Sequence, residues 1–192
     1  IYNEEFFVGY SPERINPGDK INRLENIVKV TSGSNKETAL LVDELYKEII
    51  DAGTHLASSI KVAEASKVIE NIQRDVNIAL INELYQVFNL LNINVTDVVD
   101  AASTKWNFMK LTPGLVGGHC IGVDPYYLIH KSQSVGYFPD LIKKAREINN
   151  SMPKYIVHDF LSKLIHRKIN PIDLNVLLVG FSFKPNCPDI RN

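Results

Sequence analysis

From Val62 to Leu91 the chain runs without a glycine or a proline, while apolar residues return at helical spacing through Ala65, Ile69, Ile72, Val76, Leu80, Leu84, Val87 and Leu91. That pattern predicts one long helix with a continuous buried stripe. The stripe is longer than packing inside a small domain needs, so a homodimer with these helices at its centre is expected. Any fold built around it is mostly α.

The flanking segments predict shorter elements. Phe6 to Val8 reads as a strand running into a loop broken by Pro12, Pro17 and Gly18, and NIVKVTSGS reads as a second strand. Asn35 is placed to cap a helix over KETALLVDELYKEII that Gly53 ends. After the long helix, Thr96 is expected to cap VTDVVDAAS, and a helix follows through PYYLIHKSQS with Asp124 as its N-cap and Pro125 at its start. The stretch from Pro139 to Arg167 gives one or two more helices, depending on whether Pro153 starts a helix or kinks one. Val176 to Val179 is fully apolar and followed by glycine, the pattern of a buried parallel strand opening an α/β unit. Both ends therefore look like pieces of α/β domains around a helical middle, which makes a segment of a longer chain the expectation.

Composition excludes several classes of partner. A formal net charge of −1 offers no field for nucleic acid or anionic membrane, so an anionic ligand has to meet a local cluster of Lys or Arg. No apolar run is long enough to span a bilayer, and the first residues lack the pattern of a secretory signal, so a cytoplasmic location is expected. Cys120 and Cys187 have neither CxxC spacing nor the numbers for a disulfide framework, and no metal site is expected.

Three groups of residues could carry chemistry. On the long helix Lys67, Asn71 and Arg74 stand at i, i+4 and i+7, within about 60° on one face. Two cations and a carboxamide can bind a phosphate or an oxyanion, yet they could equally be a solvated face. In GGHCIGVDPYY, Gly117 and Gly118 allow a ligand to approach the backbone, and Cys120 becomes a nucleophile only if nearby cations or helix N-termini favour the thiolate. The same segment also reads as a packing cysteine, a capping aspartate and turning glycines. SPERINPGD supplies Glu13 and Arg14 directly after a strand, where they could act on a ligand or form a surface turn with an internal salt bridge. Lys184 and Arg191 lie beyond the last apolar run and could be plain solvated charges.

Taken together, SPERINPG, AEASKVIENIQRDVNIALINE, PGLVGGHCIGVDPYYL and GFSFKPNCPDIR occur in the order found in the UDP-glucose/GDP-mannose dehydrogenase family, which the chain resembles over essentially its whole length. GGHC with VDP and PERINPG look most like the branch that oxidises UDP-N-acetylhexosamines for surface polysaccharides. The resemblance implies the end of an NAD-binding Rossmann domain over residues 1–34, a central helical domain that forms the dimer over 35–172, and the first strand of a UDP-binding Rossmann-like domain over 173–192. No GxGxxG occurs, so the dinucleotide fingerprint is expected upstream and this segment alone is expected to be inactive.

The roles implied by that resemblance are specific. Cys120 corresponds to the nucleophile that captures the C6 aldehyde of the UDP-sugar, with NAD as hydride acceptor. Lys67 and Asn71 match the pair that stabilises charge on the C6 oxygen, and Asp124 matches a carboxylate assisting the base or the hydrolytic water. Glu13 matches a residue associated with substrate and thioester hydrolysis. Arg14, Arg74, Gly117 and Lys184 fall where this branch contacts the UDP-sugar, and Arg191 where an arginine reaches the cofactor. Pro17 and Val123 stand where the UDP-glucose enzymes carry a glutamate and a lysine, which argues against UDP-glucose as substrate. Alternatives are a UDP-glucose or GDP-mannose 6-dehydrogenase, a non-catalytic helical dimerisation module, and a cysteine hydrolase, which lacks a placed His and Asn/Asp pair.

Overall fold

The computed structural model describes residues 1–16, 18–118, 120–180 and 182. Five α-helices and a three-stranded sheet make it mostly helical, as expected. It divides into two compact units whose boundary falls between Glu70 and Asn71, inside the longest helix.

In the first unit, β1 (Gly9–Tyr10) pairs antiparallel with β2 (Lys29–Gly33), which pairs parallel with β3 (Thr54–Leu56). A parallel pair needs a crossover, and α1 (Lys36–Lys47) supplies it. Gly33 makes the tight turn between β2 and α1 possible: a methyl group there would lie 2.3 Å from the Ala39 nitrogen. Asn35 caps α1 as expected, its side chain accepting from the Thr38 amide at 2.8 Å. Val30, Ala57 and Ala63 form the small core, with Tyr10 against it. Beside it, buried Asp43 accepts from the Thr31 hydroxyl at 2.6 Å and pairs with Lys47 at 2.5 Å. Burial pushes the Asp43 carboxyl up, but the bonds from Lys47, Thr31 and Thr54 outweigh it and hold the group below its ordinary value.

The longest helix, α2, spans Ile60–Leu90, close to the expected run. In the second unit it is joined by α3 (Val95–Ala102), α4 (Asp124–Ser134) and α5 (Asp140–His166). Ile81, Val95 and Val99 make an apolar core with Leu84, Tyr85, Phe88 and Leu111 around it. Between α2 and α5 runs a series of side-chain hydrogen bonds. Asp75 meets Arg146 and Asn149, Asn82 meets Asn149, Gln86 meets Met152, and Asn89 meets Tyr155 and Asp159. Partner numbers rise together, so the two helices run in the same direction. Pro153 sits inside α5 without ending it, because buried Asn149 and Met152 hold the adjoining turn against α2. No described helix is long and apolar enough to cross a membrane.

The structure corrects several local expectations. Phe6 to Val8 is exposed and only Phe6 bridges, to Tyr2; the strand is Gly9–Tyr10, because the Ser32 and Gly33 partners lie opposite those residues. Asn94, not Thr96, caps α3, its side chain accepting from the Thr96 amide at 2.9 Å. Gly53 does not end α1, which stops at Lys47; instead it turns the chain into β3, a strand not expected from sequence, with φ of 82°. The stripe on α2 is not continuously buried: Ile69, Leu80, Val87 and Leu91 are exposed, while Asn71, Asp75 and Asn82 are buried. Val176 to Val179 forms no strand and Val179 is 86% exposed, since a strand requires a ladder partner and the described residues provide none there.

Candidate active site

The cysteine segment lies in the second unit. Asn82, fully buried, donates to the Gly114 carbonyl at 2.9 Å and accepts the Gly114 amide at 2.8 Å, fixing the approach of the loop. Gly118 is buried with φ of 87°, a conformation that favours glycine. Cys120 then closes a turn: its carbonyl accepts the Val123 amide at 3.2 Å and the Asp124 amide at 2.9 Å. The cysteine is exposed and free, so it is not a packing residue.

Asp124 does not cap α4. Val123 occupies the capping position without a side-chain bond, and Asp124 is the first helical residue. Its carboxylate instead accepts a 2.6 Å hydrogen bond from the Asn71 side chain, which is 5% exposed. Asn71 is therefore no member of a solvated face: a neutral donor on α2 holds the carboxylate four residues after the cysteine. Arg74 is exposed, and Gly117 is half-buried beside Gly118.

In the first unit, Lys67 is half-buried on α2. Glu13 and Arg14 do not form the internal salt bridge expected of a surface turn. The Glu13 carboxylate accepts the Arg14 and Ile15 amides, both at 2.7 Å, and pairs with buried Lys29 at 3.5 Å. Burial pushes that carboxyl up, but the Ile15 amide, the Lys29 charge and the Arg14 amide together bring it below its ordinary value, so Glu13 is ionised at neutral pH. Arg14 turns to Glu70 at 2.7 Å and to the Val28 carbonyl at 2.9 Å. Lys29, which also donates to the Pro12 carbonyl at 3.1 Å, escaped the sequence reading because it sits within an apolar strand pattern. Pro17, Lys184 and Arg191 lie outside the described residues, as does His119.

Sequence reasoning also missed Asp75, Arg146 and Asn149. Asp75 is 0% exposed; its Oδ1 accepts from Arg146 Nη1 at 2.6 Å and from Asn149 at 2.7 Å, while Oδ2 has no partner. Burial with one bare oxygen raises its carboxyl above the ordinary value, against the pull of Arg146 and Asn149. A signal existed: Asn71, Asp75 and Asn82 recur at helical spacing inside the apolar run.

The helical unit thus presents an exposed thiol on a glycine-shaped turn, four residues before a carboxylate held by a buried carboxamide. Residues 61–151 match the family model described as the UDP-glucose/GDP-mannose dehydrogenase family, central domain. It is 62% identical over 191 residues to the UDP-N-acetyl-D-glucosamine 6-dehydrogenase of Pseudomonas aeruginosa, covering 100% of this chain and 45% of the relative. It is 54% identical to protein CapL of Staphylococcus aureus, again covering 100% of this chain and 45% of that protein. The solved UDP-D-ManNAc dehydrogenase of Pyrococcus horikoshii superposes with a TM-score of 0.87 at 31% identity, over 97% of this chain and 44% of that one. The chain thus spans a little under half the length of the relatives it matches.

Proposed function

We propose that the chain is the central part of a UDP-N-acetylhexosamine 6-dehydrogenase that oxidises the C6 alcohol to a carboxylate in two hydride transfers, for which two NAD+ would be consumed. The exposed Cys120 thiol on its braced turn carries this reading, supported by the hexosamine dehydrogenases among the relatives. The sulfur adds to the C6 aldehyde left by the first oxidation, giving a thiohemiacetal whose own oxidation leaves a thioester. Water then cleaves the thioester, releasing the acid and restoring the thiol. Covalent capture also retains a reactive aldehyde. Asn71 has two amide hydrogens, of which one holds Asp124; the other is available for the C6 oxygen, the role it shares with Lys67. Asp124 and Glu13 are the carboxylates assigned to proton transfer and to the hydrolytic water. Arg14, Arg74, Gly117 and Lys184 are assigned to the UDP-sugar.

Where NAD+ sits is a separate matter. Among the described residues the strand–glycine–helix turn from β2 to α1 is closed, with Gly33 against Ala39 and the helix end capped by Asn35. Arg191 is the residue assigned to the cofactor.

Supplying the full-length protein with UDP-N-acetylglucosamine, UDP-N-acetylgalactosamine, UDP-N-acetylmannosamine and UDP-glucose tests the proposal. The expected result is two NADH formed per hexosamine consumed, with UDP-glucose the poorest substrate. Preference for UDP-glucose, or no NADH from any of them, overturns it. A cytoplasmic protein is the corresponding expectation, since no described helix crosses a membrane and the substrate is a nucleotide sugar.

A homodimer through α2 is part of the same reading. Leu80, Val87 and Leu90 leave an apolar face open on this helix, Leu90 being 84% exposed. Sedimentation of the full-length protein is expected to give a dimer at micromolar concentration, and replacing Leu80 and Val87 with glutamate is expected to give a monomer. A wild-type monomer across the concentration range rules the dimer out.

A further inference from the structure

We infer that Arg146 is a positioning residue for the cysteine turn, set by Asp75 from below and transmitting that placement to residues 120–126; the inference rests on the proposed thiol chemistry. Arg146 is 5% exposed on α5, and its guanidinium divides its bonds between opposite sides. Nη1 reaches down to Asp75 on α2 at 2.6 Å, and Nη2 donates to Asn150 at 2.5 Å. On the upper side a methyl group added to Gly122 would lie 4.0 Å from Nη2, so the guanidinium lies under the backbone two residues after Cys120. The ring of Tyr126 stands 5.7 Å from the guanidinium carbon, and the Tyr126 hydroxyl accepts from Asn150 at 3.0 Å. Arg146 therefore lies beside the turn at Gly122 and the ring of Tyr126, and Asn150 bonds the Tyr126 hydroxyl, so the two residues flank Asp124 on either side.

The geometry separates this role from that of a stabilising ion pair. Arginine meets a carboxylate best through two parallel bonds. Here one bond forms, while Arg146 Nε and Asp75 Oδ2 are both buried without a hydrogen-bond partner. An ion pair serving stability alone has no reason to leave two buried polar atoms unmet, at a cost that the fold must offset. The single-bonded arrangement has a different consequence: it leaves Nη2 for Asn150, beside the glycine turn. The rest of the network has the same destination. Asn149 holds Asp75 at 2.7 Å and accepts from Asn82 at 2.9 Å, and Asn82 in turn fixes Gly114 at the other end of the cysteine loop. A chain of polar groups, buried from Arg146 to Asn82 and exposed at Asn150 and Tyr126, thus reaches the segment that presents the thiol both before and after Cys120.

Arg146→Lys in the full-length protein tests this, because an ammonium can keep the charge opposite Asp75 but cannot span to Asn150 and Gly122 at once. The expected result is a kcat lower by about 10- to 100-fold with KM for the UDP-sugar within about threefold, as befits a reacting group displaced by a fraction of an ångström. The rate of Cys120 alkylation by iodoacetamide, followed by peptide mass spectrometry, is expected to change by at least about threefold. Asn150→Ala and Tyr126→Phe remove only the upper contacts and leave the buried pair intact; each is expected to lower kcat by about 3- to 10-fold, and they decide the matter if Arg146→Lys does not fold. A folded Arg146→Lys with kcat within twofold and unaltered alkylation overturns the inference, as does a rise confined to KM. If the wild-type protein oxidises no UDP-sugar, the proposed function fails, yet the alkylation rates still judge whether Arg146 sets the turn.

Discussion

Cys120→Ser in the full-length protein is expected to lower formation of the sugar acid by at least about 10³-fold while leaving the fold intact. The fold survives because the side chain is exposed and the turn uses only the Cys120 carbonyl, which serine retains. The chemistry does not survive, because a serine hydroxyl is a far weaker nucleophile near neutral pH than a thiol and no described histidine is bonded to this residue to activate it. NADH production and uronic acid are measured separately, since losing the second oxidation alone leaves aldehyde as the product. Undiminished conversion to the acid by the serine variant removes the thiol from the mechanism, and with it the proposed function in this form.

The second large effect concerns stability. Asp75→Ala strips the buried Arg146 guanidinium of its carboxylate and is expected to destabilise the α2–α5 pairing by about 3–5 kcal/mol. Replacing both partners, Asp75→Leu with Arg146→Met, removes the uncompensated charge and is expected to recover most of that loss. Hydrogen exchange of the α2 and α5 amides reads the change where it occurs, separately from any other part of the protein. A loss below about 1 kcal/mol in Asp75→Ala means that the pair is not the electrostatic centre of the helical unit. The double replacement has a further use: restored stability with impaired turnover separates the pair's contribution to folding from its hold on the cysteine turn.

These two predictions draw on different kinds of legibility. Cys120 was visible as a candidate because its neighbours are glycines and its sequence context matches a family motif. Asp75 stands in line with Asn71 and Asn82 inside the apolar run, but its pairing with Arg146 was not legible, since nothing in a single sequence says which face of α5 meets which face of α2. The role of Asp124 shows the same limit. Residue type and the following proline favour a cap, but the carboxylate turned instead to Asn71, 53 positions earlier in the chain. Likewise Glu13 and Arg14, adjacent and of opposite charge, found Lys29 and Glu70 in place of one another.

By itself the sequence determined the long helix, the cap of α1, the mostly helical class and the identity of the thiol segment, all of which depend on spacing and residue type within a few turns of chain. Only the tertiary structure decided which polar residues are buried, whom they bond, and that the apolar stripe of α2 is partly open while a line of Asn and Asp lies inside. Local periodicity reports where a side chain points along its own helix. Whether that direction meets solvent, a carboxylate or another helix is fixed by long-range packing, in which a desolvated polar group must find a partner however far away in sequence that partner lies.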